Sequence, residues 1–238
     1  MEILERANWP MSETRITMKI LVFIPTLNDI AELPNIVEEI LALDGDYVPL
    51  VLDDGSTPRL ERSDLPQGCL LFSLPTNMGL GICTHIAMDH AIKYNYEALL
   101  RIDSDGQHPV WMIEDLILPI QDGTADIVVG TRENHKDGVG FGNLLRNLVK
   151  LYFSAITALI TRGHAPNDVN SGFLALGREA IIKFSSTTLE RFPEPQMLVS
   201  AHLYGLRIGE VSITQTPRQH GKTTLSFLHA AQLIYRFS

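Results

Sequence analysis

Two carboxylates stand one residue apart in the run RIDSDGQHP, at Asp103 and Asp105. They follow the short apolar stretch ALLRI, so they fall on a turn at the end of a strand. On such a turn both can face one hard cation. Magnesium and manganese prefer oxygen donors, and diphosphate oxygens can complete their shell. Gln107 and His108 are near enough to add a ligand or a hydrogen bond. The competing reading is an acidic turn that caps the next helix. A second pair, Asp53 and Asp54, follows the apolar run YVPLVL. Adjacent carboxylates at a buried strand end are costly unless something uses them. They can accept hydrogen bonds from a nucleobase or ribose, or Asp54-Gly55 can supply the φ > 0 of a tight turn; the two uses are compatible. The run Asn77-Met78-Gly79-Leu80-Gly81 precedes a helix. Its glycines let backbone approach a phosphate at a helix N-terminus, or simply form a loop-to-helix junction. It is not a GxGxxG, and no P-loop lysine follows. Arg218, His220 and Lys222 surround Gly221. They suit a lid that offsets leaving-group charge on a diphosphate, or form a solvated basic loop.

The elements that must position these residues alternate. Residues 19–24 (KILVFI), 47–52, 69–74, 98–102 and 125–130 read as strands. Residues 29–43 carry apolar positions at helical spacing with an acidic outer face, and 79–94 and 109–120 also read as helices. Pro109 suits a helix start. Strand–helix alternation means βαβ units and a mostly parallel sheet, with ligands beyond the carboxyl ends of its strands. The turns PTLND, DDGS and DSDGQH all fall at such ends. Beyond Gly130 the pattern changes: residues 131–142 are polar and glycine-rich, and read as a mobile loop. Helical stretches at 143–161 and 178–184 flank NDVNSGF, a strand is expected at 208–214, and residues 225–237 resemble the start of an amphipathic helix.

The chain has 238 residues, 45% hydrophobic and 20% charged, with a net charge of −9. This is enough for one large α/β domain without disulfide staples. The acidic balance excludes a general nucleic-acid binder. Cys69 and Cys83 lack metal-ligand spacing and read as reduced thiols. His85, His90, His135, His164, His202 and His229 also lack it, and read as ordinary helix or surface residues. Residues 1–18 carry acidic groups and no apolar core of a signal peptide, and read as an N-terminal extension. No run reaches the ~18 apolar residues of a membrane span. Residues 151–160 (LYFSAITALI), flanked by Arg146, Lys150 and Arg162, come closest and read as a core helix; contact with a membrane surface is the secondary reading.

In order, the motifs PTLND, LDDGST, NMGLG, RIDSDGQHP, VVGTR, DVNSGF, FPEPQ, EVSI and RQHGKTT resemble the family 2 inverting glycosyltransferases of GT-A fold. The nearest branch is the dolichol-phosphate-mannose-synthase-like and bacterial polyprenyl-phosphate glycosyltransferases. Single motifs are weak; nine in order over residues 19–224 are specific. The resemblance implies a single Rossmann-like α/β GT-A domain at 19–224, with a nucleotide-sugar half at 19–130, an acceptor half at 131–224 and a C-terminal helix at 225–238. It implies a nucleoside pocket lined by Pro25, Thr26, Asn28 and Asp29, with Asp53 or Asp54 on base or ribose, and Gly79 and Ser104 on the nucleotide sugar. Asp103, Asp105 and Gln107 would bind a magnesium or manganese ion and the diphosphate. Arg132 would lie on the acceptor side. Asp168, Ser171 and Gly172 would sit near the transferred sugar. Glu194 and Gln196 would occupy the acceptor region, and Arg218 and Lys222 would close over the diphosphate.

The implied reaction is an in-line displacement at the anomeric carbon, with a nucleoside-diphosphate sugar as donor and a polyprenyl phosphate or a glycan as acceptor, of the kind used in cell-surface polysaccharide biosynthesis. A sugar hydroxyl would need a carboxylate base, for which Asp168 and Glu194 are candidates; a lipid phosphate would need none. Three departures matter. Asp29 replaces the usual Glu, Leu174 follows SGF where relatives often carry Arg, and GKTT stands where relatives usually place Ser beside the basic residue. Relatives often continue into membrane helices. The expected location is cytoplasmic, with peripheral contact at the inner membrane face or an anchoring subunit as further options, and self-association is compatible. The rival readings are a catalytically impaired nucleotide-sugar-binding homologue and a sugar nucleotidyltransferase. The latter needs a basic, glycine-rich loop after the first strand, which PTLND does not provide.

Overall fold

The computed structural model describes residues 18–132, 166, 168–169, 171–190 and 193–214. The expected N-terminal extension, the loop over residues 133–142, the helix at 143–161, the apolar stretch at 151–160, the basic loop with Arg218, His220 and Lys222, and the C-terminal helix lie outside the described residues.

β1 (Lys19–Thr26) is enclosed along its centre, from Ile20 to Ile24. Its side chains alternate between two cores: Ile20, Val22 and Ile24 enter one, Leu21 and Phe23 the other. A strand buried on both faces reads as a continuous apolar run, which KILVFI is. α1 (Leu33–Leu41) begins at Leu33 rather than at Asp29. Pro34 accounts for the late start, because its fixed φ suits the first helical turn and it cannot donate further back. β2 (Asp46–Asp53), β3 (Leu70–Ser73), α2 (Leu80–Lys93), β4 (Ala98–Arg101), α3 (Ile113–Gln121) and β5 (Ile127–Arg132) follow the expected alternation. A single 3-10 turn, Val110–Met112, opens α3, so the stretch expected as one helix is two pieces. β6 (Leu174–Gly177), α4 (Arg178–Ser185), α5 (Pro193–Leu203) and β7 (Ile208–Ile213) complete the described chain.

The seven strands form one sheet in the order β3-β2-β1-β4-β6-β5-β7. Only β6 runs antiparallel, wedged between β4 and β5. α1 and α3 cover one face, and α2, α4 and α5 the other. The chain steps outward from β1 through β2 to β3, then returns to place β4 on the other side of β1. That reversal opens a crevice between the carboxyl ends of β1 and β4, where ligands of open α/β sheets bind. Arg178 stands at the opposite edge of the sheet, beside the amino end of β4. Its guanidinium donates to the carbonyls of Ala91, Ile92 and Tyr96 and so caps the C-terminus of α2.

Cys69 and Cys83 are free and buried, as reduced thiols would be. Burial, with Asp54 beside it, pushes the Cys83 thiol up to about 12.

Candidate active site

Three turns meet at the crevice. β1 and β4 run in register, Phe23 opposite Arg101, and the Ile102 amide donates to the Phe23 carbonyl at 3.0 Å. The PTLND turn therefore lies beside DSDGQ. Asn28 has φ 57°, a left-handed conformation that asparagine tolerates. Its amide donates to Ser56 Oγ at 2.8 Å, and its Oδ1 accepts from the Thr57 amide at 2.7 Å. Thr26 Oγ1 donates to the Asp29 carbonyl at 2.8 Å. Thr26 and Asn28 thus build the turn and tie it to the next one, while Asn28 stays exposed and Pro25 and Asp29 half-buried.

The DDGS turn after β2 uses its carboxylates internally. Asp53 is fully enclosed; its Oδ1 accepts from the Ser56 amide at 2.8 Å and its Oδ2 from Leu60 at 3.4 Å. Asp54 accepts from the amides of Met78 at 2.7 Å and Gly79 at 3.0 Å, and so anchors the N-terminus of α2. Gly79 is the N-cap of α2, and its amide belongs to that anchor. Gly55 has φ +83°, and a Cβ there would lie 2.5 Å from the Thr76 backbone, so the turn requires glycine.

The DSDG turn after β4 is built from side-chain charges instead. Arg101 donates through Nε and one terminal nitrogen to Asp103 Oδ1, at 3.2 and 2.8 Å, and through the other to Glu194 Oε1 on α5. His108 is buried and stacks on Phe173, with Nε2 3.4 Å from Asp103 Oδ2. Its Nδ1 has no hydrogen-bond partner among the described residues. Burial acts to raise the Asp103 carboxyl, but Arg101 and then His108 outweigh it and hold the group well below the usual carboxylate range. Asp105 and Ser104 are buried, and Asp105 Oδ1 accepts from the Gln107 amide at 3.1 Å. A Cβ on Gly172 would sit 2.2 Å from Asp103 Oδ2, so only glycine admits the carboxylate against that backbone.

No group of three or more His, Cys, Asp or Glu among the described residues is placed to hold a metal alone. The donor set nevertheless fits a hard divalent cation. Asp103 and Asp105 offer oxygens on one turn, and magnesium commonly takes one or two carboxylates with substrate phosphates filling the rest.

On the far side, Arg132 at the end of β5 pairs with Asp168. Ser171 is buried, donates to the Gly130 carbonyl at 2.5 Å and accepts from the Phe173 amide at 3.3 Å. It stitches the turn before β6 to β5. Gln196 Oε1 accepts from the Glu190 amide at 2.9 Å, and its Nε2 donates to the Thr188 carbonyl at 2.6 Å, so it holds the 188–190 loop. The geometry thus brings Asp103, Gly172 and Glu194 together around Arg101, and gives Asp53, Ser171 and Gln196 work inside the fold. Leu174, which departs from the related pattern, is the register partner of Arg101. The cation stands on β4, beside Leu174 on the neighbouring strand β6. Arg101 had one signal in the sequence: a lone guanidinium in an apolar strand must find carboxylates once buried.

The model of glycosyl transferase family 2 matches residues 21–184. A polyprenol monophosphomannose synthase of Mycolicibacterium smegmatis is 25% identical over 237 residues, 93% of this chain and 86% of that protein. An undecaprenyl-phosphate mannosyltransferase of Micrococcus luteus is 24% identical over 218 residues, 88% of each chain. The fold matches glucosyl-3-phosphoglycerate synthase from Mycobacterium tuberculosis, solved with Mn2+, uridine diphosphate glucose and phosphoglyceric acid. Its TM-score is 0.73 at 21% identity, covering 99% of this chain and 85% of that one. With the family model spanning most of the sheet that carries the three turns, the chain belongs to glycosyl transferase family 2.

Proposed function

We propose that this glycosyltransferase moves a sugar from a nucleoside diphosphate to an acceptor that carries a phosphate, of the polyprenyl-phosphate kind, with inversion at the anomeric carbon. One observation carries the choice of acceptor. Both carboxylates considered as a base for a hydroxyl acceptor are committed to guanidinium groups, Asp168 to Arg132 and Glu194 to Arg101. A phosphate nucleophile is already ionised and needs no base. The named activities of the two mannosyltransferase relatives agree with this reading. A glycan hydroxyl is the alternative acceptor.

In the proposed reaction an acceptor oxygen bonds to the anomeric carbon as the bond from that carbon to the diphosphate oxygen breaks. The nucleoside diphosphate leaves with the electron pair. The turns around Pro25, Thr26, Asn28 and Asp29 border the crevice on the nucleoside side, and Asp54 holds the N-terminus of α2 against it. A magnesium or manganese ion held by Asp103 and Asp105, with Gln107 at the rim, would offset the charge of the departing diphosphate. Arg218 and Lys222 are assigned to the same charge. Arg132, one-fifth exposed beside Asp168, is assigned to the acceptor as a cation for its phosphate. Among the described residues no helix is long and apolar enough to cross a membrane. Action on a polyprenyl carrier places the enzyme peripherally at the inner membrane face, on a pathway to surface polysaccharide.

The test is transfer of radiolabelled sugar from UDP- and GDP-sugars to polyprenyl phosphate and to an oligosaccharide. Label entering a phosphate-bearing product, at a rate insensitive to Asp168→Asn within tenfold, supports the reading. Label found only in the oligosaccharide, abolished by Asp168→Asn, would overturn it.

A further inference from the structure

One guanidinium serves two carboxylates that come from opposite halves of the chain. Arg101 ends β4 and is almost enclosed, with 11% of its side chain exposed. Its underside faces an apolar pocket lined by Phe23, Leu99, Leu174, Leu176 and Met197. Its three nitrogens point to Asp103 on the cation-side turn and to Glu194 in the first turn of α5. Glu194 is itself buried between Pro193 and Pro195. An acid in the first turn of a helix is favoured by the helix dipole, and here it also meets a cation. Counting these three groups, the net charge beside the DSDG turn is −1. Without Glu194 it would be zero, and Arg101 would face an incoming divalent cation with only Asp103 to balance it. Arg101 and Glu194 are each nearly enclosed, so that difference is only partly screened.

We propose that Glu194 is a positioning residue that acts through Arg101. It balances the guanidinium so that the Asp103–Asp105 turn keeps the negative charge a divalent cation needs, and it fixes α5 to the end of β4. This rests on the reading that Asp103 and Asp105 hold that cation. It assigns Glu194 no role as a proton acceptor.

Glu194→Gln tests the idea cleanly, because the amide oxygen still accepts from Arg101 and only the charge is lost. Manganese is titrated calorimetrically, alone and with uridine diphosphate, into wild-type protein and variants whose thermal midpoints are also measured. Glu194→Gln should weaken manganese binding about five- to tenfold. Glu194→Asp, which keeps the charge, should recover most of that loss. The double variant Arg101→Met with Glu194→Gln restores the count to −1 and should bind better than Glu194→Gln alone; if it does not fold, the Gln and Asp contrast decides. Unchanged manganese affinity in Glu194→Gln would overturn the proposal, whether kcat is preserved or falls a hundredfold as loss of a base would cause. Manganese binding absent from the wild-type protein would instead overturn the cation reading on which the proposal rests.

Discussion

The turns after β2 and β4 look alike as strings, DDGS and DSDG, yet the fold uses them in opposite ways. Asp53 and Asp54 spend their oxygens on backbone amides, at Ser56, Leu60, Met78 and Gly79. Asp103 spends its oxygens on side-chain groups, the Arg101 guanidinium and the His108 imidazole, while Asp105 takes one backbone amide, at Gln107. Backbone amides are fixed donors that shape a loop. A guanidinium shared between a strand-end turn and a helix is a charge that can be balanced, tuned and set against a ligand. The first pair builds the wall of the crevice; the second sets its electrostatics. Position at a strand end therefore marks a carboxylate as useful without saying whether the use is structural or chemical.

Substitutions in the two turns should separate those uses. The largest effect is expected from Asp105→Ala, which should lower transfer about a thousandfold while the thermal midpoint falls by only a few degrees. A comparable activity with added manganese would erase the contrast. Asp53→Ala should do the reverse. It strands two buried amides and should cost about 2–4 kcal/mol of stability, read by denaturant unfolding, with the folded fraction still binding nucleotide. Gly172→Ala tests the close approach behind Asp103. Its methyl would displace the carboxylate, and metal-dependent activity should fall about tenfold or more, with about 1–3 kcal/mol of destabilisation. Gln196→Ala is the mildest. Loss of its two loop contacts should cost about 1 kcal/mol and leave kcat within about threefold, unless the 188–190 loop itself meets the acceptor.

The alternating part of the fold was legible because each strand through β5 is an apolar run ended by proline, acid or glycine, and each helix carries a periodic apolar face. Two elements were not. β6 is four residues, LALG, and its antiparallel insertion between β4 and β5 follows from pairing that no local pattern encodes. α5 opens with PEPQ, whose two prolines give no helix signal, although proline is tolerated in a first helical turn. The candidate site divides in the same manner. Asp103 and Asp105 were legible from residue type and strand-end position. The turn reading of Asp54-Gly55 was legible too, and the structure develops it at Gly55. Glu194 drew notice as an acid in a motif, but its partner lies 93 residues earlier, and only the folded sheet brings Arg101 to it. Ser171 and Gln196 were read as acceptor residues because their motifs stood in order. The hydrogen bonds that occupy them appear only once β5, α5 and the 188–190 loop are assembled.

The central claim is that the crevice between β1 and β4 binds a nucleoside diphosphate through a divalent cation held at the DSDG turn. Thermal-shift measurements with UDP, GDP, dTDP and CMP, each with and without manganese, test it most directly, since a ligand that binds only the folded state raises the midpoint by mass action. The expected result is a manganese-dependent rise with one diphosphate, lost in Asp105→Ala and retained in folded Asp53→Ala. A rise that is independent of manganese, or that persists in Asp105→Ala, would contradict the account.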